Sequence, residues 1–263
     1  MKLINFNLIN YILFYIKMNI LDKKVIYDII DNKVYGIINN NYGNSYITHS
    51  NKSILDIYVN DYYDNMIKTY DSYNLKLLFN ALKLNTNLKL LKLIKLCDYS
   101  NFSRLFDLDL LCDSLKNNKK LKYLELSENG LYNINSLSKI FINSKIKFLD
   151  LSYNEITDLT VIIHFLENNN TLQYLYLNHN CIDDYNLNLL CKVLENNNTL
   201  QYLDLSYNKD ITNLYPIIKL LEKNKFIKSI KLDTESSCVA AAIIDIENTI
   251  TKIDKRFKYD FIS

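Results

Sequence analysis

One spacing of apolar residues recurs through the middle of the chain. It reads Leu, two variable residues, Leu, one variable residue, Leu, two more, Asn, then an aliphatic residue. It occurs as Leu121, Leu124, Leu126, Asn129, Leu131, and again as Ile146, Leu149, Leu151, Asn154, Ile156. It returns as Leu172, Leu175, Leu177, Asn180, Ile182, and as Leu200, Leu203, Leu205, Asn208, with Ile211 one residue late. Ile227, Ile230, Leu232 continues it with Glu235 in the Asn place. Upstream, Leu88, Leu91, Leu93 fits with Leu96 replacing Asn, although a shifted register of Leu91, Ile94, Leu96 also fits. Ile54, Ile57, Val59 is a weak candidate for a first unit.

Between these frames the apolar period changes to that of a helix. Leu159, Ile162, Ile163, Leu166 follow i, i+3, i+4, i+7, as do Leu187, Leu190, Cys191, Leu194 and Leu214, Ile217, Ile218, Leu221. Leu108, Leu111, Cys112, Leu115 and Leu75, Leu78, Phe79, Leu82 repeat the stripe. Each predicts one apolar helix face. In each, the last stripe residue lies six positions before the next frame. Only Leu137, Ile140 and Phe141 follow Leu131, which predicts a shorter helix there.

Each unit therefore reads as a short strand, a turn and a helix, with frames 25, 26, 28 and 27 residues apart from Leu121 to Ile227. One such unit cannot bury its own apolar side. Stacked units bury it against each other, which predicts an α/β solenoid with a curved parallel sheet inside and helices outside.

These residues, with the stretch "NNNTLQYLDLSYN", resemble the leucine-rich-repeat family and, within it, the ribonuclease-inhibitor-like class. The resemblance implies that Asn129, Asn154, Asn180 and Asn208 stack as a ladder whose amides bond turn backbone. A buried Asn needs such partners in any case. It also implies a concave face that binds proteins.

The ends read as caps, which a solenoid requires. Residues 1–50 carry no frame; residues 8–30 are apolar and read as helical, and residues 31–53 as loop or short hairpin. An N-terminal helical cap or small module is expected over 1–50, the repeats over 51–235, and a C-terminal capping helix over 236–263. There Ile243, Ile246, Ile250, Ile253 and Phe257 advance by helical steps.

Alternate strand residues face opposite sides, so the positions between frame leucines should form the concave surface. One column reads Tyr123, Phe148, Tyr174, Tyr202, Ser229, and the next Glu125, Asp150, Tyr176, Asp204, Lys231. A third reads Ser127, Ser152, Asn178, Ser206, Asp233. Beyond it lie Glu128, Tyr153, His179, Tyr207, Thr234. Asp150-Leu151-Ser152 and Asp204-Leu205-Ser206 also fit a plain structural spelling of the strand. As a binding surface, the candidates are Tyr123, Glu125, Phe148, Asp150, Tyr153, Tyr174, Tyr176, His179, Tyr202, Asp204 and Tyr207. Tyrosine combines area, stiffness and a polar tip, and an acidic column favours a basic partner patch. Segments 166–180 and 194–208 are identical at twelve of fifteen positions and differ at 176/204, 178/206 and 179/207, all outside the frame.

Composition adds mostly exclusions. The formal net charge of +2 over 263 residues gives no argument for nucleic acid or an anionic membrane. Arg occurs only at 104 and 256, against arginine-rich phosphate readout. No uncharged apolar run reaches the roughly 20 residues of a membrane span. The first 17 residues resemble a signal peptide, but Asn5, Asn7 and Asn10 interrupt them and no small-residue cleavage site follows. Five cysteines, at 97, 112, 181, 191 and 238, form no CxxC pair, which suggests reduced thiols and a cytoplasmic protein. Cys112 and Cys191 fall on helix stripes and read as core, and Cys181 beside the ladder reads as structural. Sequons such as Asn169-Asn170-Thr171 and Asn197-Asn198-Thr199 are attributable to chance in so Asn-rich a chain.

No constellation for catalysis stands out. The three histidines, 49, 164 and 179, make neither a metal site nor a triad. Glycines at 36, 43 and 130 supply no phosphate loop. Asp183-Asp184 reads as a helix start. The expectation is a monomeric, non-enzymatic interaction module without cofactor or metal, binding a protein partner on its concave face. Two alternatives stay open: an adaptor recruiting a ubiquitin ligase through its N-terminal segment, and an enzyme regulator of nuclease-inhibitor or GTPase-activator type.

Overall fold

The computed structural model describes strands at residues 25–26, 33–40, 43–51 and 54–60, isolated residues between 79 and 86, and then residues 88–94, 106–142 and 144–232. Among them a single sheet runs in chain order. It comprises β1 (Val25–Ile26), β2 (Lys33–Asn40), β3 (Gly43–Asn51), β4 (Ile54–Asn60), β5 (Leu90–Ile94), β6 (Tyr123–Glu125), β7 (Phe148–Asp150), β8 (Tyr174–Tyr176), β9 (Tyr202–Asp204) and β10 (Ser229–Lys231). From β4 to β10 every pairing is parallel. Among the described residues, five helices lie in the crossovers after β5: α1 (Leu108–Leu115), α2 (Ser138–Phe141, after a 3₁₀ turn at Asn135–Leu137), α3 (Thr160–Asn168), α4 (Asp184–Leu194) and α5 (Tyr215–Lys223). The expected α/β solenoid is the architecture found.

The frame sets the register. Leu124 pairs with Leu149, Leu149 with Leu175, and Leu175 with Leu203, so equivalent leucines stack. These side chains are fully buried, as are Leu126, Leu151 and Leu177. Leu91 lies opposite Leu124, which selects the frame Leu88, Leu91, Leu93 and excludes the shifted one. In β4, Leu55 lies opposite Leu91 and Ile57 opposite Leu93. The first unit therefore uses Leu55 and Ile57, not Ile57 and Val59. Its run of Ile54, Leu55, Ile57 and Val59 is apolar at both parities, so the alternation could not set the register.

The helical stripes hold with two adjustments. Leu108, Leu111, Cys112 and Leu115 are buried, as are Leu187, Leu190, Cys191 and Leu194. Ile163 and Ile218 are only partly buried against the core, while Phe165 and Leu220 take deeper places. The α2 helix is one turn long, as its sparse stripe predicted. Asp183 is the N-cap of α4, accepting from the Asn186 N–H at 2.9 Å. Asp184 accepts from the Thr212 N–H and hydroxyl of the next unit.

At the N-terminal end, helix was expected over residues 8–30, yet Val25–Ile26 is a strand paired antiparallel with β2. Both are β-branched, which favours extended backbone. The hairpin reading of 31–53 matches the antiparallel pairing of β2 with β3, and β3 joins β4. The proposed C-terminal helix, Asp233, Thr234 and Glu235 lie outside the described residues, as do Cys97, Cys238, Leu75 and Leu78.

The asparagine ladder is hydrogen-bonded as a ladder should be. The Asn154 Oδ1 accepts from the Asn129 and Leu131 N–H groups, both at 3.0 Å, and its Nδ2 donates to the carbonyls of Leu126 and Leu151. Asn180 accepts from the Ile156 N–H and donates to Leu151 and Leu177. Asn208 accepts from the Ile182 N–H and donates to Leu177 and Leu205. Asn129 donates to the Leu93 carbonyl at 2.7 Å. Each amide thus satisfies backbone groups of two consecutive units inside a dry core.

A second asparagine row lies at the other end of the strands. In sequence, Asn occupies the third position before the frame in every unit from Leu88 to Ile227: Asn85, Asn118, Asn143, Asn169, Asn197 and Asn224, of which Asn85 and Asn143 lie outside the described residues. The Asn197 Oδ1 accepts from the Thr199 and Leu200 N–H groups and its Nδ2 donates to the Leu166 carbonyl. Asn169 accepts from Thr171 and Leu172. Asn224 accepts from Phe226 and Ile227 and donates to Leu194 and Asn197, both at 2.7 Å. The sequons at 169 and 197 therefore recur for a structural reason, and chance is not their explanation. Their Asn closes the helix-to-strand turn.

Removing these amides should be costly. In urea unfolding, Asn180→Ala should lose about 3 kcal/mol and Asn197→Ala about 2 kcal/mol, because each strands buried backbone groups. Asn198→Ala, at an exposed neighbour, should stay within about 0.5 kcal/mol of the parent.

Candidate functional site

The inward-facing positions of the concave sheet carry a continuous array of rings. Tyr123 stacks on Phe148 with centroids 3.9 Å apart and planes 7° from parallel. Phe148 is 6.2 Å from Tyr174 and 5.0 Å from Tyr176, and Tyr202 is 6.4 Å and 4.9 Å from the same two rings. Parallel pairing in equal register places Tyr123, Phe148, Tyr174 and Tyr202 side by side. Cross-strand aromatic pairs of this kind stabilise the sheet. Tyr174 is 39% exposed, while Tyr123, Phe148, Tyr176 and Tyr202 are half-buried.

The second column alternates charge and ring. Lys92, Glu125, Asp150, Tyr176, Asp204 and Lys231 are successive partners across the strands. Glu125 pairs with Lys92 at 3.0 Å and accepts from the Tyr123 hydroxyl. The Asp150 Oδ1 accepts from the Ser152 N–H at 2.8 Å and from its hydroxyl at 2.6 Å. Asp204 makes the same two bonds to Ser206, and its other oxygen accepts from the Tyr202 hydroxyl at 3.2 Å. Asp-x-Ser is thus a side-chain turn closing the strand. Asp204 is only 6% exposed, so it serves that turn more than the surface. Ser127, Ser152 and Ser206, expected on the concave face, are buried.

Burial raises the Asp150 pKa, the Ser152 bonds oppose that, and Glu125 and Asp204 add to it. Burial, then Asp150 and Asp204, also raise the Tyr176 phenol.

The fourth column has a property invisible in the sequence. Glu128, Tyr153, His179 and Tyr207 all adopt positive φ, between 53° and 58°. This left-handed backbone disfavours a Cβ, yet it turns each chain sharply just before the ladder Asn. The His179 ring lies between Tyr153 and Tyr207 at 4.0 Å from each, nearly parallel to both. The N–H of Glu128 and that of Tyr153 still donate to the next unit, at Ser152 and Asn178. Tyr153, His179 and Tyr207 therefore form a stacked ribbon along one rim of the concave face.

The remaining reactive groups do not converge. Burial raises the Cys112 thiol and pushes that of Cys191 up to about 12, so both stay protonated hydrophobes. Cys181, which read as structural, has an exposed thiol, and its backbone N–H donates to the Ile156 carbonyl. His164 is on the outer face, 3.1 Å from Glu167. Among the described residues no group of three His, Cys, Asp or Glu side chains could hold a metal ion. Among them, too, no helix is long and apolar enough to cross a membrane.

A family model described as "Leucine Rich repeat" matches three segments, residues 143–159, 168–184 and 196–214. The units between 143 and 214 are leucine-rich repeats, and the sheet and helices around them form a leucine-rich-repeat solenoid. Solved structures similar to the chain include an internalin from Listeria monocytogenes, 24% identical, covering 57% of this chain and 36% of that one at a TM-score of 0.41. The internalin C2 of the same organism is 20% identical over 58% of this chain and 65% of its own, at 0.40. The chain spans less than two thirds of the length of either internalin. Actin-binding site 2 of leiomodin-1 is 16% identical over 70% of this chain and 92% of its own, at 0.39. No curated protein matches the chain.

Two outcomes follow for the site's residues. Glu128→Gly should stabilise by up to about 1 kcal/mol, since glycine relieves the left-handed strain. His179→Gly should destabilise instead, because it forfeits two ring stacks of about 0.5–1.5 kcal/mol each. Chemical denaturation of both variants decides. Asp150 has a raised folded-state pKa, so its charge costs stability above that pKa, and the cost disappears as pH falls through it. Asp150→Asn keeps the acceptor and removes the charge. It should be at least as stable as the parent at pH 7 and should flatten the pH dependence just above the ordinary aspartate value of about 3.9. Asp150→Ala should lose about 1–2 kcal/mol by giving up the Ser152 bonds.

Proposed function

We propose that the protein is a non-enzymatic interaction module that binds a protein partner on its concave sheet face. Leucine-rich-repeat domains are in general interaction modules, which supports this class of function. The observation that carries the reading is the ring array of Tyr123, Phe148, Tyr174, Tyr176 and Tyr202. Five aromatic side chains on one curved surface offer large area at small entropic cost, as at interface hot spots. They stand on strands held at both ends by hydrogen-bonded asparagines, so little ordering is required on binding. Acidic Glu125 and Asp150, with the rim rings Tyr153, His179 and Tyr207, extend the surface.

A repeat of 25 to 28 residues with a helix on the outer side supports placement in the ribonuclease-inhibitor-like class. Buried, protonated Cys112 and Cys191 accord with a cytoplasmic protein. The partner meets a single copy of the chain in this reading.

The test is affinity purification with the full chain and with its Tyr174→Ser, Tyr176→Ser, Tyr202→Ser variant. Partner recovery should fall at least about tenfold, corresponding to loss of one hot-spot contribution. Undiminished recovery by a variant whose circular dichroism matches the parent refutes the assignment of the face.

A further inference from the structure

We propose that the centre of the concave face seats a lysine or arginine side chain of the partner, beside Asp150 and against the rings of Tyr174 and Tyr176. This deepens, and rests on, the reading of the concave face as the binding surface.

The argument starts from what the face does with its own cations. At one end Lys92 lies 5.2 Å from the Tyr123 ring centroid and pairs with Glu125 at 3.0 Å. At the other end Lys231 lies 5.8 Å from the Tyr202 ring, with Asp204 its neighbour in register. Each lysine combines a ring face with a neighbouring acid, which is the arrangement cation–π recognition favours. The middle of the column repeats those parts. Asp150 is flanked by Phe148 on its own strand and by Tyr174 and Tyr176 on the next. Here, however, the chain places Tyr176 where a lysine stands at the ends. Among the described residues no lysine or arginine lies within ion-pair distance of Asp150, whose contacts are those with Ser152. Its second oxygen is left to accept.

Electrostatics point the same way. Glu125, Asp150 and Asp204 lie within about three strand spacings, roughly 15 Å, and only Glu125 has a salt bridge among the described residues. Asp150 and Asp204, flanking the Tyr176 ring, repel each other, and an incoming cation relieves that repulsion. The exposed face of Tyr174 supplies the approach. Arginine suits the site because its guanidinium can stack on a ring while donating to a carboxylate; lysine suits it as the chain's own two examples do. The occupant is thus a basic segment of a protein, inserted side chain first.

The experiment pans a random-peptide display library on the full-length protein and measures the enriched peptides by fluorescence anisotropy. Enriched peptides should share a Lys or Arg whose replacement by Gln weakens binding about tenfold. Asp150→Asn, which keeps the Ser152 bonds, should weaken binding by a similar factor, and Tyr176→Leu likewise. Added salt should weaken it further. If peptides lose binding to the triple tyrosine variant but need no basic residue and ignore Asp150→Asn, the cation seat is overturned and the concave face stands. If peptides bind the triple variant as well as the parent, both readings fall. A library that yields no enriched peptide overturns the cation seat, because a preformed site of this kind should select one.

Discussion

Everything in this solenoid depends on satisfying backbone amides where no water can reach them. Strands of three residues provide few ladder bonds, and the turns at both of their ends are buried between units. A buried N–H or carbonyl without a partner would cost as much as the packing of a leucine gains. The chain meets this constraint with side-chain amides, which offer one acceptor and two donors in a small plane. Asn154, Asn180 and Asn208 tie the turn after each strand to the unit before it. Asn169, Asn197 and Asn224 do the same for the turn before each strand. The leucines then close-pack because the backbone is held at a constant repeat.

That stiffness determines what the surface can be. Once strand ends are fixed, the positions between frame leucines have almost no structural duty. Their side chains can vary, as segments 166–180 and 194–208 do at three positions. Not every such position is equally free. Asp150 and Asp204 both close turns with the serine two residues on. At 176 the chain has tyrosine instead of aspartate, and Asn178 replaces the serine. The eighth strand therefore gives up the Asp-Ser turn and gains a ring in the middle of the face. The exchange is coordinated across two positions, as a turn motif shared by two residues requires.

Much of this was legible in the residues. The leucine frame and its helical stripes define the solenoid, the register from Leu121 onward, and the short α2, while the pairing of Leu91 with Leu124 settles the unit before it. The first asparagine row could be assigned because it belongs to the frame. The second row was equally regular, at the third position before each frame, but a chain so rich in asparagine hides it in its composition. The left-handed backbone at Glu128, Tyr153, His179 and Tyr207 could not be read, since Glu and Tyr ordinarily avoid it and none of the four is glycine. The exposure of Cys181 and the burial of Asp204 likewise depend on where one turn points, which periodicity does not specify. β4 misled because its apolar residues fall on both faces.

The central claim is that the ring-lined sheet, and not the helical outside, meets the partner. The most direct measurement places a photo-crosslinking amino acid in turn at Tyr174, on the concave face, and at Tyr215, exposed at the start of α5. The chain is then irradiated in its native cell and the adducts identified by mass spectrometry. Crosslinking to one and the same protein from position 174, and none from 215, is the result this account predicts. An adduct that forms from 215 and not from 174 would contradict it.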